Sequence, residues 1–228
     1  TECNSANELV AWAARVSNPS NQNNTATAPK LVQYLIKNQH WSPLEMVHVS
    51  MEIRTTRDIA RQILRHRSFM FQEYSQRYAD PTKDLGFVNR EARLQDAKNR
   101  QNSIPVQDRE LMAIWDELQT DVLVASRRSY EAALSLGIAK EVARKVLPEG
   151  QTTSRMYMNG TLRSWMHYIE LRSGIETQKE HREIAVECGN ELDGRFVDRR
   201  AELYLHTSAK GDYMVKVCNS CYEYHSRQ

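Results

Sequence analysis

The chain has 228 residues, 40% hydrophobic and 26% charged, which suits one globular domain over 1–228 with enough interior to need no disulfide or metal staple. It holds no run of about 18 apolar residues and no basic segment leading into an apolar one, so neither a membrane span nor a secretory signal is expected and the reading is cytoplasmic. A formal net charge of +2 is too small to argue for general nucleic-acid binding.

In chain order, residues 18–25 form a polar loop, and 29–38 place Leu31, Val32, Leu35 and Ile36 on one side of a short helix. The loop His40-Trp41-Ser42-Pro43 follows, and then Val47, Val49, Met51 and Ile53 alternate as a half-buried strand does. Thr55-x-x-Asp58 is a capping signal for a helix carrying Ile59, Ala60, Ile63 and Leu64. Residues 79–105 read as a long loop, and 111–136 and 139–147 as helices, the second stopped by Pro148 and Gly150. Met156 to Met158 suggests a strand, with Asn159-Gly160 turning it into a helix over 161–172. Helices over 175–192, closed by Gly194, and over 196–206 complete an α/β chain of the α+β kind, rich in helix with a few strands.

Four cysteines, Cys3, Cys188, Cys218 and Cys221, are scattered except for Cys218-Asn-Ser-Cys221, which His225 follows. A structural zinc site needs about four ligands in recognised spacing, so this is half a site, and all four are read as reduced thiols with no metal assigned.

Helical-wheel placement puts three arginines toward the interior. Arg67 falls in the arc of Ile59, Ala60, Ile63 and Leu64, so either the helix ends before it or the arginine is buried. Arg172 lies a heptad after Trp165, in the arc of Leu162, Trp165, Met166 and Ile169, and Arg144 flanks a stripe of Val142, Ala143, Val146 and Leu147. A guanidinium is costly to bury alone, so each wants a carboxylate, a phosphate or carbonyls as partner; taken singly, each suits an internal salt bridge.

The helix before Arg67 runs into Arg65-His66-Arg67, and after seven further residues comes Ser75, with Glu73 two before it and Arg77 two after. Fork-shaped donors, an imidazole, a carboxylate and a hydroxyl on a helix end and its exit loop suit a phosphorylated, carbonyl-rich ligand. A solvated basic helix end, favoured by the helix dipole, would account for Arg-His-Arg alone. Ser75 has no His-Asp pair at recognisable spacing, so it reads as a hydrogen-bonding group and not as a nucleophile.

The stretch Arg65-His-Arg-Ser-Phe-Met-Phe-Gln-Glu-Tyr-Ser-Gln-Arg77 resembles the signature of the flavin-dependent thymidylate synthases. The likeness extends to Gln62, to His40-x-Ser42-Pro43, to Glu141-Val-Ala-Arg144-x-Val-Leu-Pro148 and to Arg163-Ser-Trp-Met-His167-Tyr-Ile-Glu-Leu-Arg172, in the family's order. Leu147-Pro-Glu-Gly and Arg155-Met-Tyr-Met look most like the viral branch, which would place the protein in a host cytosol. The chain departs from many members at Met70, Gln72, His167 and Glu176, where Ser, Asn, Asn and His are usual.

The resemblance implies a small antiparallel sheet flanked by helices and the reductive methylation of dUMP to dTMP. It implies FAD as cofactor, with methylene-tetrahydrofolate as carbon donor and NADPH as reductant. Flavin contacts would fall on Ser42, Arg65, His66, Arg67, Glu73, Arg163 and His167. Substrate contacts would fall on His40, Gln62, Arg65, Glu73, Tyr74, Ser75, Gln76, Arg77, Arg144 and Arg172, with His40 facing folate or flavin and Arg172 as the catalytic group. It also implies a homotetramer with shared active sites, and neither nucleic acid nor membrane as partner. A non-catalytic nucleotide-binding helical protein and a structural assembly protein are the readings from other classes, and both predict a colourless preparation.

Overall fold

The computed structural model describes residues 3–196, 204–207 and 213–216. Its helices and strands run α1 (Ala6–Ala14), α2 (Ala28–Lys37), β1 (His48–Thr56), α3 (Arg57–Ile63), β2 (Met70–Glu73), α4 (Pro81–Asp84), β3 (Arg93–Gln95), β4 (Ser103–Pro105), α5 (Arg109–Ser135), α6 (Lys140–Ala143), β5 (Thr153–Thr161), α7 (Leu162–Arg172), α8 (Lys179–Phe196), β6 (Tyr204–Thr207) and β7 (Tyr213–Lys216). Short 3-10 turns lie at Pro19–Asn21, Ser42–Met46 and Arg144–Val146. The contacts divide into two compact units: one holds the described residues up to Met51, Ser68–Met70 and those from Asn159 onward, and the other holds Glu52–Arg67 and Phe71–Met158.

In the first unit, Ser5 caps α1 by accepting from the Glu8 N–H, and the Glu8 carboxylate accepts from the Asn4 N–H at 2.7 Å. Pro29 is the second residue of α2, in the first turn, where its missing N–H costs nothing. Val10, Leu35, Leu44 and Val47 make a buried cluster, against which Leu31, Val32 and Ile36 of α2 and Leu162 and Met166 of α7 pack, as the periodicity predicts. Trp165 is fully buried and donates its indole N–H to the Val49 carbonyl at 3.0 Å. Its ring meets Phe69 edge-on at 4.9 Å.

Three strands form a sheet in the order β1-β5-β2. The Arg57 N–H donates to the Thr152 carbonyl just beyond one end of the β1–β5 pair, and the Leu162 N–H to the Val47 carbonyl just beyond the other, so that pair is antiparallel. Val49 and Ile53 on β1 are buried with polar neighbours between them, as the alternation predicts. β3 pairs antiparallel with β4, and β6 with β7.

Several boundaries differ from expectation. β1 runs past Ile53 to Thr56, so Thr56 and not Thr55 precedes α3, and its hydroxyl bonds the Asp58 carboxylate instead of a backbone N–H. The loop over 79–105 contains α4 and the β3–β4 pair. Asn159-Gly160 is no turn: β5 continues through it to Thr161, which caps α7 by accepting from the Ser164 N–H. The helix over 139–147 is a single turn of α6 that tightens to 3-10 at Arg144, which upsets a wheel built on 100° steps. Val142 and Val146 are therefore exposed, and only Ala143 of that stripe is buried. α8 starts at Lys179 instead of Ile175 and passes through Gly194 to Phe196. Of the helix over 196–206, residues 204–206 lie in a strand and 197–203 lie outside the described residues. Among the described residues, no helix is long and apolar enough to cross a membrane.

Candidate active site

The second unit carries Arg65 to Arg67 and Phe71 to Arg77 of the motif, and Ser68–Met70 between them belong to the first. α3 ends at Ile63 with Leu64 as its cap, and this resolves the alternatives for Arg67: the helix stops short of it, and both Arg65 and Arg67 are exposed. Among the described residues neither makes an ion pair. Gln62 and His66 are half-buried at the same helix end. After β2 the chain leaves the sheet in a turn, the Tyr78 and Ala79 N–H groups both donating to the Ser75 carbonyl.

Within that segment the side chains are held by different partners. The Tyr74 N–H donates to the Arg155 carbonyl at 2.8 Å and its hydroxyl to Asp84 at 2.6 Å; burial first, then the Asp84 bond, raises the phenol above its ordinary pKa. Arg77 lies 3.5 Å from Glu141 and over the Tyr78 ring. Gln76 is 4% exposed, and its Nε2 is buried with no acceptor among the described residues. An amide donor left in that state costs about 1–3 kcal/mol.

Glu73 ends β2 and is fixed from two sides. Its Oε1 accepts from the Ser154 hydroxyl at 2.7 Å and lies 3.5 Å from Arg57 Nη1, with side-chain exposures of 19% for Glu73 and 12% for Arg57. Burial lowers the Arg57 pKa from its ordinary value, with Glu73 opposing the shift and Arg61, Glu149 and Arg144 acting as further charges near it. Arg144, first residue of the 3-10 turn, is half-buried, and its Nε donates to the Glu141 carbonyl at 3.3 Å.

The first unit carries the remaining expected residues. His40 and Ser42 are exposed at the start of the Ser42–Met46 turn, His40 meeting the Tyr34 ring edge-on. That turn packs against α7, where Arg163 pairs with Glu45 and the exposed His167 ring lies 4.8 Å from Trp41. Arg172, the last residue of α7, is half-buried, as the wheel placement predicts. Cys218, Cys221 and His225 lie outside the described residues.

The family model described as "Thymidylate synthase complementing protein" matches residues 1–196. A probable flavin-dependent thymidylate synthase of Paramecium bursaria Chlorella virus 1 is 48% identical over 81% of this chain and 84% of its own length. The chain belongs to the flavin-dependent thymidylate synthase family. A flavin-dependent thymidylate synthase of Synechocystis is 50% identical over 78% of this chain and 80% of its own. The fold has a solved counterpart in a UMP/dUMP methylase, PolB from Streptomyces cacaoi, with TM-score 0.68 and 25% identity over 83% of this chain and 86% of that one.

Against that family background, the charges grouped around Glu73 went unread in the sequence. Arg57, Arg61 and Ser154 carry no motif of their own, Glu149 was read only as part of Leu147-Pro-Glu-Gly, and Ser154 lies 81 residues from the carboxylate it holds. The one available signal was Arg57, a charged residue opening the helix that ends in Arg-His-Arg.

Proposed function

We propose that the chain converts dUMP to dTMP, taking the carbon from methylene-tetrahydrofolate, with FAD held by Ser42, Arg65, His66, Arg67, Glu73, Arg163 and His167. The observation that carries this reading is the donor-rich character of the motif: two exposed arginines that pair with no carboxylate among the described residues and, nine residues beyond Arg67, a buried Gln76 amide that finds no acceptor among them. Phosphate and carbonyl oxygens supply the missing acceptors, so the residues fit a dinucleotide cofactor and a nucleotide substrate.

When bound, reduced FAD supplies the hydride, and NADPH restores it. The dUMP contacts are Gln62, Arg65, Glu73 to Arg77, Arg144 and Arg172, with His40 toward the folate or flavin. Arg172 faces the imide nitrogen and its neighbouring carbonyl, where a fixed positive charge favours the ionised, electron-rich uracil ring that attacks the one-carbon unit.

The chain acts as one domain, since it passes between the two units four times, at 51–52, 67–68, 70–71 and 158–159. It assembles as a homotetramer with shared sites, in the cytoplasm. Support for assembly comes from α5, whose Leu111, Ile114, Trp115, Leu118 and Val122 form an exposed apolar stripe, while only Gln119 and Tyr130 on that helix are buried.

Absorption spectroscopy of the purified protein tests the reading. A yellow protein, as isolated or after mixing with FAD, whose colour bleaches with NADPH and whose flavin bands shift on adding dUMP is expected. A folded protein that takes up no FAD under these conditions would overturn it.

A further inference from the structure

Glu73 stands among the residues read above as ligand contacts, and two groups outside that set grip it. Both reach the same atom: the Ser154 hydroxyl donates to Oε1 at 2.7 Å, and Arg57 Nη1 lies 3.5 Å from it. Oε2 is outside this grip.

The grip is built from rigid parts. Ser154 is buried on β5, the central strand of the sheet, Arg57 is the first residue of α3, and the Tyr74 N–H beside Glu73 is tied to the Arg155 carbonyl at 2.8 Å. Arg57 is largely buried, and burial lowers its pKa, so its charge is held in place by the carboxylate and not by water. A two-point hold on one oxygen fixes the carboxyl plane, which a lone hydrogen bond leaves free to rotate.

We propose that Arg57 and Ser154 are positioning residues: they clamp Oε1 of Glu73 so that Oε2 is presented in a set orientation to a hydrogen-bond donor, N–H or O–H, of the bound nucleotide. This rests on the reading of Glu73 as a ligand contact. Arg57 then acts through Glu73 and touches no ligand itself, so its removal matters only while Glu73 is there to be held.

The test is a double-mutant cycle on the purified enzyme with Arg57→Gln, Glu73→Gln and the pair together, alongside Arg57→Lys and Ser154→Ala. Three quantities are read: FAD affinity by absorbance titration, KM and kcat for dUMP separately, and the melting temperature. Glu73→Gln is expected to weaken nucleotide or flavin binding by about tenfold, equivalent to about 1.4 kcal/mol. Arg57→Gln should approach that loss, the pair should lose no more than Glu73→Gln alone, and Arg57→Lys should recover part of the binding. Additive losses in the pair would overturn the proposal, because Arg57 would then act independently. So would normal binding in Arg57→Gln beside impaired binding in Glu73→Gln, with the ligand role of Glu73 intact. Normal binding in Glu73→Gln would remove that ligand role and the proposal together. If Arg57→Gln does not fold, Ser154→Ala decides: a drop of about threefold or more in either affinity supports the clamp, and unchanged affinities overturn it.

Discussion

Gly160 lies under the Phe69 ring so closely that a Cβ on the glycine would sit 2.4 Å from Phe69 Cδ1 and 2.6 Å from Cε1. The ring is itself wedged edge-on against Trp165 and Tyr168, with centroids at 4.9 and 5.8 Å, so it has little room to retreat. Gly160→Ala should therefore destabilise the fold by about 1–3 kcal/mol through overpacking. Phe69 follows Arg67 by two residues, so the variant should also lose flavin affinity. A thermal melt with a parallel FAD titration checks both, and Phe69→Leu placed in the Gly160→Ala background should restore part of the melting temperature.

Arg172 and Arg67 are expected to fail differently. Arg172→Ala should lower dTMP turnover by roughly 10²–10³-fold, the cost of one oriented donor at a centre of developing charge, with flavin content near normal. Arg67→Ala should leave a folded protein depleted of FAD. Flavin absorbance per chain, measured beside kcat, separates the two, and a near-normal kcat in Arg172→Ala would remove its catalytic assignment.

None of the cysteines lies in a ligand motif, and Cys188 is only 5% exposed. Burial first, then the nearby Glu187 and Glu191 charges, pushes its thiol up from 9.0 to about 12, so it is protonated at neutral pH and a poor nucleophile. Replacing Cys3, Cys218 and Cys221 with Ser and Cys188 with Ala should leave dTMP synthesis largely intact. Because the folded pKa is raised, folding favours the neutral thiol; this stabilisation is complete below about 9 and is lost as pH rises through about 12. The wild-type melting temperature should therefore fall more steeply over that range than that of Cys188→Ala, as an alkaline melting series would show.

The apolar stripe on α5 makes assembly testable. Leu118→Glu with Val122→Glu should break the oligomer, because two charges cannot be buried unpaired at its centre. Light scattering should give a smaller species with little activity. A fully active monomer at nanomolar concentration would exclude shared sites.

Much of this organisation was legible in residue patterns. The face of Leu31, Val32, Leu35 and Ile36, the alternation from Val47 to Ile53 and the arc around Trp165 all follow from periodicity within one element, and all three pack as read. Reading failed where a distant side chain decides the matter. Asn159-Gly160 resembles a turn, yet the glycine serves a strand because Phe69 crosses it. The wheel drew attention to Arg67, Arg144 and Arg172 and passed over Arg15, which at 8% exposure bonds the Asn24 carbonyl and the Thr27 hydroxyl. It also passed over Arg57, which opens α3 and whose partner Glu73 lies on β2. A wheel finds the direction of a side chain but not what waits for it there.

Anaerobic single turnover tests the assigned chemistry most directly. The protein carrying chemically reduced FAD is mixed with dUMP and methylene-tetrahydrofolate, and dTMP and flavin absorbance are followed together. One dTMP is expected per flavin reoxidised, with none formed when FAD, dUMP or the folate is left out. A folded protein that binds both FAD and dUMP but makes no dTMP, or one that makes dTMP while its flavin stays reduced, would contradict the assignment.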